Sequence, residues 1–254
     1  MLQIDNVSFS IDHKPILNHL SLEIERQSLH AIIGTNGSGK STLLRIISRI
    51  WKMDEGNIYI DHKNIDNFSR KELSQKVTLV PQDTHLSFPI LVKDLVLLGR
   101  NPHIKRFHSY TSKDYEIALQ AIQEIEIEHL TNKYVTEISG GERQLVWIAC
   151  ALATQAPILL LDEPTASLDI YHTLCIFKIL KKLQDKGLTI IIVLHELQEA
   201  YSFFDTVSLM EKGHIYTTGK PAEILTEENI KKIFNVHTQF YNIGNHTFLH
   251  YSIQ

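Results

Sequence analysis

Gly34-Thr35-Asn36-Gly37-Ser38-Gly39-Lys40-Ser41 sets a glycine, four residues and then Gly-Lys-Ser in the order of a phosphate-binding loop. Glycines let the backbone curl until several N–H groups converge on phosphate oxygens, and a helix starting there adds positive partial charge. Lys40 is placed to reach the β- and γ-phosphates. The Ser41 hydroxyl is placed to ligate Mg²⁺, and Thr42 completes the set facing the nucleotide. The flanks agree with this reading. Leu29-His30-Ala31-Ile32-Ile33 reads as a short apolar strand, while Thr42, Leu43, Leu44, Ile46, Ile47 and Ile50 recur at helical spacing. A nucleoside triphosphate with Mg²⁺ is the expected cofactor.

Two further stretches narrow the chemistry. The run Ile158-Leu159-Leu160-Leu161-Asp162 is a wholly apolar strand ending in a carboxylate, followed by Glu163. Asp162 can hold Mg²⁺ through its water shell between phosphate oxygens, and Glu163 can orient or deprotonate the attacking water. No Asn-Lys-x-Asp motif for reading guanine occurs. Ile138-Ser139-Gly140-Gly141-Glu142 places bare N–H groups at a second helix start, a second phosphate-binding turn. One ATP cannot easily use two such turns of one chain. The economical arrangement is a head-to-tail pair of copies, each presenting Ser139, Gly140 and Gly141 to the nucleotide held by the other.

These residues need a scaffold, and the chain has material for one. Its 254 residues are 43% apolar, enough for a packed core. A net charge of −4 gives no overall basic field, so nucleic acid is not an expected partner. The longest apolar runs fall short of a membrane span, and no basic, apolar leader is expected at the start. Cys150 and Cys175 read as buried free thiols, and His246 with His250 is the one i, i+4 histidine pair, without a third ligand nearby. Leu2 to Val7, Ser21 to Ile24, Asn57 to Ile60 and Val77 to Val80 read as strands, with a turn at Asp12-His13-Lys14-Pro15. From about 83 to 153 helical periodicity takes over: Ala118, Ala121, Ile122 and Ile125 share one face, and Leu145, Ile148, Ala149 and Leu152 another. Beyond strand Ile158–Asp162 come a helix with Ile170, Leu174, Phe177, Leu180 and Leu183 on one face, and strand Thr189 to Leu194. A hairpin follows through Glu211-Lys212-Gly213, joining Val207–Met210 to His214–Thr217, and then a helix over Pro221 to Phe234. The fold class is therefore α/β: a P-loop NTPase core with an N-terminal antiparallel β region and an inserted, mostly helical sub-domain at about 83–153. Residues 1–235 form this unit, and 236–254 a tail of ambiguous pattern.

Taken together, these motifs resemble the ATP-binding subunits of ABC transporters over about residues 1–225. The likeness rests on the P-loop, on Ile138–Glu142, on Leu160-Leu161-Asp162-Glu163-Pro164-Thr165, on Gln82 after its strand, on Ser167-Leu168-Asp169, and on His195 after strand 189–194. The resemblance implies that Gln82 senses Mg²⁺ and links the nucleotide to a membrane partner. It also implies that His195 contacts the γ-phosphate and that Asp169 lies at the dimer seam. The expected partners are membrane permease subunits, a second copy of the chain and, indirectly, a substrate-binding protein. The expected location is peripheral, on the cytoplasmic face of the inner membrane. Leu97-Leu98-Gly99-Arg100-Asn101-Pro102-His103, with Gly141-Glu142-Arg143-Gln144 and Trp147-Ile148-Ala149, is similar to importer ATPases for iron–siderophores, haem and cobalamin; molybdate/tungstate relatives share much of it. The competing readings are a soluble ABC ATPase without a transport role and a nucleotide-gated scaffold without turnover; Glu163 and His195 argue against the latter. Three positions depart from the family pattern. Ile138 replaces leucine, Leu145 stands where arginine is common, and Ile11 occupies the place of the aromatic ring that stacks on adenine.

Overall fold

Leu2, Ile4 and Val7 are buried while Asp5 and Asn6 face out, the pattern of a sheet that covers one face. They lie on β1 (Leu2–Ile11), which pairs antiparallel with β2 (Lys14–Ile24). The computed structural model describes residues 1–254 apart from Arg106, Ser167, Asn245 and Gln254. The chain divides into two compact units, one of residues 1–67 with 189–254 and the other of residues 68–188.

In the first unit both N-terminal strands run longer than their apolar patterns predict. The turn shrinks to Asp12-His13, both left-handed at φ 48° and 62°, and Lys14 and Pro15 already belong to β2. Pro15 is tolerated because β2 lies at the sheet edge. A second group of strands centres on β3 (Leu29–Gly34), the strand that feeds the P-loop and is buried along its whole length. After β4 (Glu55–Ile60), which pairs antiparallel with β1, and the two-residue β5 (Lys63–Asn64), this unit resumes past residue 188.

Residues 68–188 hold β6 (Val77–Val80) parallel to β7 (Ile158–Asp162), with helices between and after them. These are α2 (Arg70–Ser74), α3 (Val92–Leu98), α4 (Ser112–Glu124), α5 (Gly140–Ala153) and α6 (Ile170–Asp185). The expected α4 face is buried in full, and Ile148 and Ala149 are buried on α5, where Leu145 and Leu152 are only half-buried. On α6 the expectation needs correcting. Phe177, Leu180 and Leu183 are buried, but Ile170 is 80% exposed and Leu174 49%. Helical periodicity identifies a stripe; it does not say how far along the helix the packing extends.

The run Leu97–His103 is a structural staple. Arg100, buried, donates to Asp114 Oδ1 at 3.0 Å, to the Ala153 carbonyl at 2.7 Å and to Gln155 Oε1 at 3.0 Å. His103 Nε2 donates to the Thr154 carbonyl at 2.7 Å. The end of α3 is thereby pinned to the end of α5. Asp114 accepts from the Thr111 hydroxyl and backbone N–H as well as from Arg100, and these bonds hold its carboxyl down at about 2. Both cysteines are free but only partly buried, and burial pushes the Cys150 thiol up to about 11.

The first unit is completed by β8 (Thr189–Leu194), α7 (Leu197–Phe203), β9 (Thr206–Glu211) and β10 (His214–Gly219). β3 runs parallel to β8 on one side and β9 on the other; such strands are mostly apolar because both faces are covered. The β9–β10 hairpin turns through Lys212 and Gly213, at φ 46° and 83°. The single helix expected over 221–234 is two, α8 (Pro221–Ile224) and α9 (Glu227–Phe234). Thr226 interrupts it, its hydroxyl accepting from the Asn229 N–H at 3.2 Å as an N-cap. The tail forms a hairpin, β11 (His237–Ile243) and β12 (His246–Ser252). Gln198 of α7 clamps it, donating to the Thr247 carbonyl at 3.0 Å and accepting from the Leu249 N–H at 2.9 Å. Its pattern is ambiguous in sequence because Tyr241, Ile243 and Phe248 stay exposed, so apolar and polar residues do not alternate. Among the described residues no helix is long and apolar enough to cross a membrane.

His30 lies within β3, its Nε2 2.8 Å from Ser208 Oγ, which is 2.7 Å from Thr218 Oγ1. Burial lowers its pKa to about 4. An unfolded chain takes up this proton near pH 6.5, so the stability that His30 contributes is complete above pH 6.5 and drains away as pH falls towards 4. Urea unfolding at pH 7 and pH 4.5 should show a loss about 2–3 kcal/mol larger for wild type than for His30→Asn. Equal losses would contradict this.

Candidate functional site: a phosphate loop and a strand-end carboxylate pair

In the first unit, β3 ends at Gly34 and α1 (Lys40–Ile47) begins six residues later. Gly39 caps that helix at φ 104°, a conformation that an L side chain rarely adopts. Lys40 is 5% exposed, and its ammonium donates to the carbonyls of Gly34 at 2.8 Å and Thr35 at 3.0 Å. Ser38 donates its N–H to the Thr35 carbonyl, and its own carbonyl accepts from Gly213 in the β9–β10 turn at 2.9 Å. The loop is therefore braced from a neighbouring hairpin. Ser41 and Thr42 are half-buried in the first turn of α1, whereas Ile50 lies past the helix end and is 61% exposed; it is not part of the helical face. Register places His195 here too. Ile33 is opposite Leu194, so His195 follows at the same strand edge as Gly34. It is exposed.

In the second unit, β6 and β7 pair with Val80 opposite Leu161. Two residues further along, Gln82 and Glu163 meet beyond the strand ends: Gln82 Nε2 donates to Glu163 Oε2 at 2.7 Å. Asp162 just before it is 2% exposed. Glu163 sits at φ 49°, a left-handed conformation that costs a non-glycine residue about 1–3 kcal/mol. Pro164 narrows its alternatives by disfavouring the right-handed helical well. Strain at such a residue aims a side chain.

The same unit carries the glycine-rich turn. Ser139 caps α5, accepting from the Glu142 N–H at 3.2 Å, and Glu142 reaches back to the Ser139 N–H at 2.8 Å. That bond heads the causes holding the Glu142 carboxyl below its ordinary range. Ser139 and Gly140 are exposed, and Gly141 is buried. A Cβ on Gly141 would lie 2.4 Å from the His172 ring, so any larger residue here would displace that ring. Asp169 caps α6, its Oδ1 accepting from the His172 N–H at 2.8 Å and from Nδ1 at 2.9 Å. Ser167 lies outside the described residues. His172 was not singled out from sequence, although its position three residues after an N-capping aspartate is a signal for a side-chain contact.

Ile11 is 41% exposed at the end of β1. Phe9 cannot stand in for an aromatic ring there, because it stacks on Trp51 at 5.5 Å and 18°, with Arg45 over the other ring at 4.8 Å. Beyond Gln82, Trp147 Nε1 donates to the Thr84 carbonyl at 3.0 Å, and Phe88 follows at 56% exposure. His246 and His250 lie on a strand, where i, i+4 residues stand about 13 Å apart. Among the described residues no cluster of three or more His, Cys, Asp or Glu side chains could hold a metal.

A family model described as ABC transporter matches residues 17–166. The chain belongs to the ABC transporter family. It is 37% identical to the ferric enterobactin transport ATP-binding protein of Escherichia coli over 222 residues, 87% of this chain and 82% of that one. A structure of a metal-chelate type ABC transporter in an inward-facing conformation matches with a TM-score of 0.86 at 29% identity, covering 99% of this chain and 96% of the other. A dimeric ATP-binding cassette in a post-hydrolysis state, with ADP and phosphate bound, matches at 0.74 and 30% identity, covering 87% and 99%. The fold is the α/β P-loop fold of these cassettes, and the chain is an ATP-hydrolysing member of the family that takes ATP.

Proposed function

We propose that the protein is the ATPase subunit of an importer, that it closes on ATP as a head-to-tail pair, and that it drives a separate membrane permease for an iron–siderophore or related metal chelate. The observation that carries this reading is likeness along nearly the whole chain to a subunit named for ferric enterobactin transport. Haem, cobalamin and molybdate/tungstate are the alternative cargoes within the same role. The protein would sit at the cytoplasmic face of the inner membrane through its permease, contacting it with the exposed Phe88 and Pro89 beyond Gln82.

The residues present fit ATP with Mg²⁺. Ser38 Oγ is buried without a hydrogen-bond partner among the described residues, and a Cβ on Gly37 would meet nothing within 4 Å, so the loop has room and donors for phosphate oxygens. Ser41, Asp162 and Gln82 offer the oxygen donors that a hard cation takes. When bound, Mg²⁺ neutralises charge building on the β- and γ-phosphates. Lys40 binds the transferring phosphate as a point charge, supported by the N–H groups of Gly34 to Thr42. Glu163 takes the proton of the attacking water, held in place by Gln82. His195 orients the γ-phosphate from the strand edge beside Gly34. Ser139, Gly140, Gly141 and Asp169 act on the nucleotide of the second copy.

A strain lacking the gene should lose uptake of radio-labelled iron chelates and regain it with wild type but not with Glu163→Gln. Unchanged uptake of every chelate, haem, cobalamin and molybdate in that strain would overturn the reading.

With Ile11 beside the base, binding energy comes mainly from the triphosphate, which all nucleotides share. Ile11→Tyr should tighten ATP binding by up to about tenfold, since base–aromatic stacking supplies about 1–3 kcal/mol. Wild type should discriminate weakly between ATP and GTP in competition. A hundredfold preference for ATP, with no gain from tyrosine, would contradict this account of the base site.

A further inference from the structure

Asp169 and the turn Ser139–Gly141 come from distant parts of the sequence, and one side chain touches both. The His172 imidazole rests against Gly141, its Cδ2, Cγ and Cβ filling the space where a glycine Cβ would stand. Its Nδ1 faces Asp169 Oδ1 at 2.9 Å, the oxygen that also caps the His172 N–H at 2.8 Å. Facing a carboxylate, Nδ1 carries the proton and donates it. Close packing alone does not fix the ring. It lines a cleft of about 350 Å³ shared with His129, Glu142, Tyr171 and Cys175, and its side chain keeps 25% exposure. The hydrogen bond to Asp169 is thus what selects the rotamer that covers Gly141.

We propose that His172 is a positioning residue that locks the phosphate-facing turn Ser139–Gly141 and Asp169 into one rigid piece, so that both meet the second copy in register. This rests on the head-to-tail reading above. The side chain acts through Gly141 and Asp169. Losing it leaves each element to be ordered separately on closure, which slows the step that needs both copies while sparing nucleotide capture by the P-loop.

The test uses the 254-residue chain and variants at His172, Asp169 and Glu163. In His172→Ala and His172→Phe, kcat for ATP should fall about tenfold or more, while KM and fluorescent-ATP affinity stay within about twofold of wild type. Phe keeps a ring but not the donor, so it should behave like Ala. His172→Asn reproduces the inner half of the imidazole, with Nδ2 in place of Nδ1, and should recover kcat to within about threefold. Asp169→Ala/His172→Ala should be no slower than Asp169→Ala alone, because the two residues act as one unit. Wild-type kcat in His172→Ala, failure of Asn to rescue, or multiplicative losses in the double variant would each overturn the proposal. ATP-driven pairing of Glu163→Gln keeps the two readings apart. If Glu163→Gln pairs and Glu163→Gln/His172→Ala pairs equally tightly, this proposal alone fails; if Glu163→Gln never pairs, both fail. Should the Ala and Phe variants not fold, the Asn variant and the Asp169 cycle with Asn decide the matter.

Discussion

Glu163→Gln should bind Mg-ATP as wild type does and lose hydrolysis by about 10²–10⁴-fold, the usual contribution of a positioned general base. The substitution keeps shape and volume and removes the proton acceptor. Little else should change. The left-handed backbone at residue 163 is set by the β7 end and by Pro164, not by the carboxylate, and an amide oxygen can still accept from Gln82 Nε2. Phosphate release and equilibrium binding of ATP, measured on the same preparation, check both halves. Turnover near the wild-type rate would show that the attacking water is activated elsewhere.

The second large effect is expected at Lys40, the only lysine or arginine between Gly34 and Thr42. Its ammonium is buried and already hydrogen-bonded to the Gly34 and Thr35 carbonyls, so its position is set by the loop. Lys40→Ala should cut hydrolysis by about 10²–10³-fold, the range for losing one preorganised donor at a developing charge. ATP affinity should fall by about tenfold to a hundredfold, as for a lost hydrogen bond to a charged group. The helix should survive, because alanine is the best helix former and Gly39 still supplies the cap. Circular dichroism and a phosphate-release assay test this together. A folded Lys40→Ala protein hydrolysing ATP near the wild-type rate would remove the P-loop from the site.

The residues that bind phosphate were readable because their chemistry leaves few alternatives to glycine, lysine and serine at fixed spacing. The buried strands were equally plain: β3, β7 and β8 are mostly apolar and buried along their whole length. Legibility fell where packing partners decide. Ile50, Ile170 and Leu174 fit a helical stripe yet are exposed, since spacing records a face and not what covers it. The break between α8 and α9 hinged on one hydroxyl, Thr226, acting as a cap within an otherwise helical run. The hairpin at 237–252 keeps aromatic residues on its outer face and so loses the alternating signature of a strand. Contacts between distant residues were out of reach altogether. Nothing in the spacing of Gly141 and His172 announces that one leaves room for the other, and the Gln82–Glu163 bond needs the register of β6 on β7. The role of Leu145, half-buried on α5, finds no explanation in the structure.

The central claim is that one copy's Ser139–Gly141 turn closes on the nucleotide held by the other copy's Lys40. Light scattering of Glu163→Gln at saturating Mg-ATP tests it most directly, because blocked hydrolysis traps the closed pair. The account predicts twice the monomer mass with ATP, the monomer mass without it, and the monomer mass in both conditions once Ser139→Arg is added to Glu163→Gln. A Glu163→Gln protein that stays monomeric while saturated with ATP, or one that pairs equally well with Ser139→Arg, would contradict it.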